Sequence, residues 1–419
     1  MQIVAAGQGY VGLPLAVRAA EAGHRVTGYD VDADRVRRLA AGDSHVEDVP
    51  SGRLRAVLDA GTYRASADEA ALAGYDIAVI TVPTPLREGV PDLSFIETCA
   101  RTLGRHLRRG ATVVLESTTY PGTTEELLLP VLEEASGLKA GEDFRAGFSP
   151  ERIAPGNKRW SFETTPKLVS GIDTESLEVI KGFYDTVFQT TVAVSTPKVA
   201  ELAKLIENTF RLVNISMINE LATLTDRLGV DIWEAIDAAA TKPFGFTRFT
   251  PGPGVGGHCL PVDPLFLSWK IREDLGVPFR FVELADEVNR SMPHYVVRRV
   301  AAALDQRGKA VSGSRILLLG LTYKINATDL RESPSTRVAE LLISLGSQVR
   351  GADPNVAPSD HPKLNLPLVD ADEEEIAAAD AVVLLMDHAA FDLPMIGELA
   401  PYVLDCRNRL SGPNVETLY

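Results

Sequence analysis

The chain opens on MQIVAAG, an apolar strand pattern that runs directly into Gly7-Gln8-Gly9-Tyr10-Val11-Gly12 and then into the helical pattern PLAVRAAEAG, closed by Gly23. A second strand pattern, HRVTGYD, ends on Asp30, eighteen residues after Gly12. Strand, glycine turn, helix, strand and acid in this order leave few folds open: they describe a parallel βαβ unit with a ligand at the helix N-terminus. Gly7 permits the tight turn, Gly9 lets backbone N–H groups approach a pyrophosphate, and Gly12 allows close helix–strand packing. The start of the helix stabilises phosphate charge. Gly7, Gly9, Tyr10, Val11 and Gly12 are therefore expected to line a dinucleotide site. A carboxylate at Asp30 can accept from both ribose hydroxyls and would repel a 2′-phosphate, which favours NAD over NADP. The competing reading is a glycine-rich turn in some other α/β domain.

The parallel-sheet rhythm continues through DIAVITVPTP (76–85), ATVVLESTTYPGTTEE (111–126) and RAGFSPERI (145–153). Each is a buried strand pattern that ends in a polar loop. Open α/β sheets bind ligands beyond the carboxyl ends of their strands, so Thr84, Thr118 and Glu151 are expected at the site. Each alone could equally serve only its own loop. From about residue 198 to 229 the pattern KVAELAKLIENTFRLVNISMINELATLTDRLG is helical throughout, with Pro197 near its start and Gly229 at its end. A helix this long can join two domains and offer a dimer surface. Lys204 and Asn208 are four apart and share one of its faces.

A second strand–turn–helix begins at SRILLLGLTYK (314–324) and leads to QVRGADP, ending in Asp353. ADAVVLLMD and YVLDCRN are further buried strands. The order resembles the first region but lacks GxGxxG, so this unit has lost dinucleotide binding or binds another phosphate-bearing group. Lys324 and Arg331 flank its turn and could supply positive charge. The expected architecture is α/β: two Rossmann-like doubly wound domains joined by a long central helix and a helical middle domain. The boundaries read as 1–196, 197–308 and 309–419.

At 419 residues, 45% hydrophobic and 24% charged, the chain has the make-up of a globular protein of two or three domains. Its net charge of −15 argues against nucleic acid or an anionic membrane as partner. No apolar run reaches the ~18 residues of a membrane span, and the N-terminus reads as a strand rather than a signal peptide. Three scattered cysteines make no disulfide framework and no metal spacing. A reduced, cytoplasmic setting is expected, with no metal.

One of those cysteines, Cys259, lies in PGPGVGGHCLPVDP (251–264), a stretch expected to be neither helix nor central strand. Read alone, Cys259 is either a small apolar residue in a tight turn or an accessible thiol. Ligation with His258 is disfavoured because further ligands at suitable spacing are absent. A thiol beside a hydride acceptor can capture an aldehyde as a thiohemiacetal, which loses a second hydride to become a thioester and then an acid.

GQGYVGLP, TVPTP, ESTTYPGTT, SPERI, AELAKLIENTFR, GPGVGGHCLPVDP and GLTYKINATDLRESPS, in this order and spacing, resemble the UDP-glucose/GDP-mannose dehydrogenase family from end to end. The resemblance implies a four-electron oxidation of the C6 alcohol of a nucleotide-diphosphate hexose to a carboxylate, with two NAD per sugar, in a homodimer built on the long helix. It casts Cys259 as nucleophile, with Lys204 and Asn208 binding the C6 oxygen and its developing charge. Asp263 and Thr118 would hold a water or assist proton movement, and Glu151 would assist thioester hydrolysis. Lys324 would bind the sugar nucleotide, and Arg331 would contact NAD or the cleft. Gly254, Gly256 and Gly257 would lie against the substrate.

Many UDP-glucose enzymes of the family read GGSCFPKD where this chain has His258 and Val262. HC and VDP, with SPERI and TKPFGF, resemble the branch that acts on UDP-N-acetylhexosamines. UDP-glucose or TDP-glucose is the alternative substrate. Two rivals of other classes are a two-electron hydroxyacid dehydrogenase and a non-catalytic NAD-binding regulator. The second α/β unit and GGHC loop argue against the first, and the intact Cys, Lys and Asn set argues against the second.

Overall fold

Strands buried on both faces must be apolar throughout, and the parallel sheet is where such strands occur. The computed structural model describes residues 1–153, 159–357 and 366–419. It divides into two compact units, Met1–Glu207 with Trp269–Gly276, and Asn208–Ser268 with Val277–Tyr419.

In the first unit, β1 (Gln2–Ala6), β2 (Arg25–Tyr29), β3 (Tyr63–Ser66), β4 (Ile77–Ile80), β5 (Thr112–Leu115) and β6 (Arg145–Phe148) form one parallel sheet in the order β3-β2-β1-β4-β5-β6. Ile3 stands opposite both Val26 and Ile77. The order reverses between β1 and β4, the switch point where a doubly wound sheet opens a crevice at its carboxyl edge. Leu13, Leu15 and Val17 of α1 (Gly12–Glu21) are buried with Ile180, Phe183 and Tyr184 of α2 (Thr174–Val187) in the core of this unit. A separate parallel pair joins β7 (Lys167–Val169) to β8 (Thr191–Ala193).

The predicted long helix is α3 (Pro197–Leu228), 32 residues and so about 48 Å at 1.5 Å per residue. Gly229 follows it with φ +65°, a left-handed stop that glycine adopts without strain. Next come α4 (Cys259–Leu275), which belongs to the second unit as far as Ser268, and, in the second unit, α5 (Arg280–Gln306) and a parallel sheet of β9 (Arg315–Leu319), β10 (Gln348–Ala352), β11 (Ala381–Leu384), β12 (Val403–Asp405) and β13 (Val415–Thr417). Its order is β10-β9-β11-β12-β13. The α/β reading of both regions is borne out, with the helical stretch between them. Among the described residues no helix is long and apolar enough to cross a membrane.

The expectation for residues 251–264 is half overturned, because α4 begins at Cys259 and takes in Pro261 and Pro264. Pro261 is the third residue of the helix, where its missing N–H belongs to the first turn's unbonded donors anyway. Pro264 gives up one intrahelical bond. Proline therefore excludes a helix upstream of itself but not one that starts just before it.

Candidate active site

The dinucleotide cradle is built as its glycines require. Gly7 has φ +93°, and a Cβ there would lie 2.7 Å from the Thr81 carbonyl oxygen. At Gly12 a Cβ would collide with the Gly7 carbonyl oxygen and the Thr81 hydroxyl, so only glycine lets α1 start this close to β1. A Cβ at Gly9 would meet nothing within 4 Å, which leaves the turn's outer face open. Val11 caps α1 without a side-chain hydrogen bond, and the Leu13 N–H donates back to the Gly9 carbonyl at 3.1 Å. This cradle fits a pyrophosphate, the central group of NAD. Tyr10 is exposed beside it, with its ring edge-on to His45 at 6.5 Å.

Asp30 follows β2 and is buried. Its Oδ2 accepts from the Gln8 N–H at 2.7 Å and from Arg35 Nη1 at 2.8 Å, and its Oδ1 accepts from the Asp32 N–H at 3.0 Å. The carboxylate is thus held rigidly, but Arg35 offsets the charge that was expected to repel a 2′-phosphate.

Thr84, Thr118 and Glu151 follow β4, β5 and β6, at the carboxyl edge of the first sheet. Thr84 is buried and Thr118 half-buried. Glu151 Oε1 accepts from the N–H groups of Arg152 (2.6 Å) and Ile153 (2.7 Å). Beyond Thr118 the Pro-Gly turn is tied to α3 through Glu201, whose carboxylate accepts from Gly122 N (2.6 Å), Thr124 N (2.9 Å) and Thr124 Oγ1 (2.7 Å). Those bonds fix the start of α3 and with it Lys204, a buried lysine three residues later.

Asn208, one turn further along α3, belongs to the second unit. Its amide Nδ2 donates to Asp263 Oδ2 at 2.6 Å, with both side chains buried. Asp263 is one turn into α4, on the same face as Cys259. Cys259 is exposed, whereas Cys99 and Cys406 are buried. The position of Cys259 at a helix N-terminus is where an anionic sulfur is best tolerated. His258 titrates below the ordinary histidine range, first because of burial and next because of the nearby Arg331 guanidinium, with Asp329 opposing. It sits beside the thiol as a neutral imidazole at pH 7. Among the described residues no cluster of acids, histidines and cysteines could hold a metal.

The glycine loop makes its close approach first to the chain itself. A Cβ at Gly256 would lie 2.6 Å from Tyr323 Cβ and from the Glu332 carbonyl oxygen, and one at Gly257 (φ +83°) 2.6 Å from the Tyr323 ring. The Gly257 N–H donates to the Arg331 carbonyl at 3.0 Å. Gly254 (φ +125°) lies against Pro334 and Asn289. The loop is thus seated on residues 323–334, the segment that carries Lys324 and Arg331. The Arg331 guanidinium is chelated by Asp329, at 2.7 Å from Oδ2 and 3.0 Å from Oδ1, so its charge is matched locally.

The site residues fall into two sets. Gly7 to Gly12, Asp30, Thr84, Thr118, Glu151 and Lys204 belong to the first unit; Asn208, Gly254 to Gly257, Cys259, Asp263, Lys324 and Arg331 belong to the second. Sequence reasoning missed Arg35 on Asp30, and Glu116 and Lys167 behind Glu151. A glutamate closing an apolar strand, as in VVLE (113–116), was the available signal for Glu116.

Three models of the UDP-glucose/GDP-mannose dehydrogenase family match the chain: the NAD binding domain over residues 1–188, the central domain over 198–291 and the UDP binding domain over 317–412. UDP-N-acetyl-D-mannosamine dehydrogenase of Pyrococcus horikoshii is 34% identical over all of this chain and 98% of its own length. UDP-N-acetyl-D-glucosamine 6-dehydrogenase of Pseudomonas aeruginosa is 36% identical over 93% of this chain and 91% of its own. Among solved structures, a UDP-glucose dehydrogenase from Pyrobaculum islandicum superposes with a TM-score of 0.88 at 30% identity, over 99% of this chain and 96% of that one.

The Asp30–Arg35 pair generates a test. Asp30→Ala removes a ribose acceptor and frees Arg35 for a 2′-phosphate. NAD binding should weaken by about 1–3 kcal/mol, the scale of hydrogen bonds to a charged group, while NADP binding strengthens. Titration of both cofactors by protein fluorescence measures this; an unchanged NAD affinity means that Asp30 does not face the ribose.

Proposed function

Because the chain belongs to the UDP-glucose/GDP-mannose dehydrogenase family, we propose that this NAD-dependent oxidoreductase converts the C6 alcohol of a UDP-N-acetylhexosamine to the uronate through a covalent adduct on Cys259. The observation that carries this reading is the exposed thiol at the start of α4, one turn from an aspartate that Asn208 holds at 2.6 Å. Bound NAD supplies the acceptor for hydride, and two hydrides leave C6 per sugar. Lys204 and Asn208 stabilise negative charge on the C6 oxygen. The Cys259 sulfur adds to the aldehyde carbon, and loss of the second hydride and a proton leaves a thioester. Water then attacks that carbon, the C–S bond breaks, the sulfur departs as thiolate, and Glu151 takes the water's proton. Asp263 and Thr118 assist proton movement. Lys324 and the loop 254–257 bind the sugar nucleotide, and Arg331 and Thr84 contact the cofactor. Residues 1–196, 197–308 and 309–419 serve as the cofactor, central and sugar-nucleotide domains.

The N-acetylhexosamine assignment rests on the GGHC and VDP residues beside the thiol and on the mannosamine and glucosamine relatives. A pocket built for the N-acetyl group leaves its polar partners unpaired when glucose binds, at a cost of about 1–3 kcal/mol.

One face of α3 supports a homodimer. Val199, Leu202, Ile206, Phe210, Met217, Leu221, Leu224 and Leu228 recur every three, four or seven residues and are all exposed. An apolar stripe of this length is the ordinary mark of a helix that packs against a partner. A second copy of the chain, in the cytoplasm, is the occupant we assign.

Incubation with NAD and a panel of nucleotide sugars tests the reaction and the sugar together. Two NADH per sugar are expected without free aldehyde, and kcat/KM should be higher for UDP-N-acetylglucosamine or UDP-N-acetylmannosamine than for UDP-glucose. One NADH with released aldehyde sinks the covalent mechanism; a preference for UDP-glucose overturns only the sugar.

Cys259→Ser should abolish steady turnover while NAD still binds, because an alkoxide forms far less readily than a thiolate at neutral pH. Near-normal turnover would return Cys259 to a packing role. Light scattering should give twice the chain mass of 45.2 kDa, and Phe210→Glu should halve it; a wild-type monomer rules out the dimer.

A further inference from the structure

Behind the loop that carries Glu151, the first unit buries three charged side chains together. Lys167 on β7 and Glu116, one residue past β5, are 2% and 1% exposed. Lys167 Nζ lies 3.1 Å from Glu116 Oε1 and 3.5 Å from Glu151 Oε2. The Tyr184 hydroxyl on α2 donates to Glu116 Oε1, and Glu116 Oε2 has no hydrogen-bond partner among the described residues. The rings of Tyr184 and Phe188 lie 5.4 and 5.2 Å from the ammonium. Arg152, the next residue after Glu151, is engaged by Glu207 of α3 at 2.6 Å and by the Pro166 carbonyl at 2.8 Å.

Stability does not account for this cluster. Replacing a buried ion pair by apolar groups of the same volume is often neutral or stabilising, so a chain selected only to pack would have little reason to bury an ammonium here. What the ammonium reaches is Glu151, the member of the cluster whose side chain keeps 12% of its surface exposed. One oxygen of Glu151 takes two backbone N–H groups and the other faces Lys167, so the plane of the carboxylate is held from both sides. A general base needs that fixed orientation. Glu116 draws on the same ammonium from the other side. Burial pushes its carboxyl up, with Lys167 opposing.

We propose that Lys167 is a positioning residue for thioester hydrolysis: it orients the Glu151 carboxylate, while Glu116 anchors the ammonium from the other side. This rests on the reading of Glu151 as the base for hydrolysis.

The test follows decay of the Cys259-bound acyl group by rapid quench and intact-protein mass, with NAD and the nucleotide sugar that turns over best. Lys167→Met should slow decay about tenfold while NADH formation in the first turnover keeps its rate, a split that a general loss of structure would not give. Lys167→Arg should restore decay. If Lys167→Met folds poorly, Glu116→Gln with Lys167→Met removes the buried pair at near-constant volume and should still slow decay alone. Decay left normal, or decay and NADH formation slowed together, overturns the proposal, provided Glu151→Gln itself abolishes decay. Normal decay in Glu151→Gln overturns the proposal together with the reading beneath it.

Discussion

The hydrogen bond from Asn208 to Asp263 is the constraint on which the chemistry depends. It joins the middle of α3 to the first turn of α4 across 2.6 Å between buried side chains. A side-chain hydrogen bond of this kind contributes about 0.5–1.5 kcal/mol. Its larger consequence is geometric. Cys259 and Asp263 are one helical turn apart, so fixing Asp263 helps to fix the start of α4. The same bond thus relates an amide, an acid and a thiol of the second unit through two helices rather than through loops.

The stretch before Cys259 then has a clear purpose. Its glycines let the chain lie directly on Tyr323 and Pro334, where any side chain would meet backbone or ring atoms. The Gly257 N–H closes that contact on the Arg331 carbonyl. Because this loop immediately precedes α4, seating it on the 323–334 segment also sets where α4 begins. A thiol at the first residue of a helix is exposed and faces the positive end of the helix dipole. The prolines at 261 and 264 do not prevent this, since the first turn needs few of its own hydrogen bonds.

In the first unit the parallel sheet performs the equivalent task. Parallel strands place all their carboxyl ends on one edge, so Asp30, Thr84, Thr118 and Glu151 reach that edge from separated parts of the chain. Two of these carboxylates are held by cations from outside the six-stranded sheet, Arg35 for Asp30 and Lys167 for Glu151. The pairings differ in kind. Arg35 is partly exposed and its charge is screened by solvent, whereas Lys167 is sealed in the core, where a charge acts strongly on its neighbours.

Local patterns determined what a local pattern can determine. The apolar run, the three glycines and Asp30 specified the βαβ unit because each requirement there is set by residues within one supersecondary motif. The 32-residue helix was legible from its uninterrupted period and its terminal proline and glycine. The order of motifs along the chain was enough to identify the family and hence the reaction. Contacts between distant segments were not legible. Asn208 and Asp263 are 55 positions apart, Lys167 and Glu116 51, and nothing in either neighbourhood names the other. The start of α4 inside a proline-rich stretch was also misread, because the first turn of a helix accepts proline, whose missing N–H would have no intrahelical partner there. Sequence therefore decided which chemical groups are present and which motifs carry them. Tertiary structure alone decided which groups meet, because a side chain's electrostatic partner is chosen by the folding of strands and helices that are far apart in the chain.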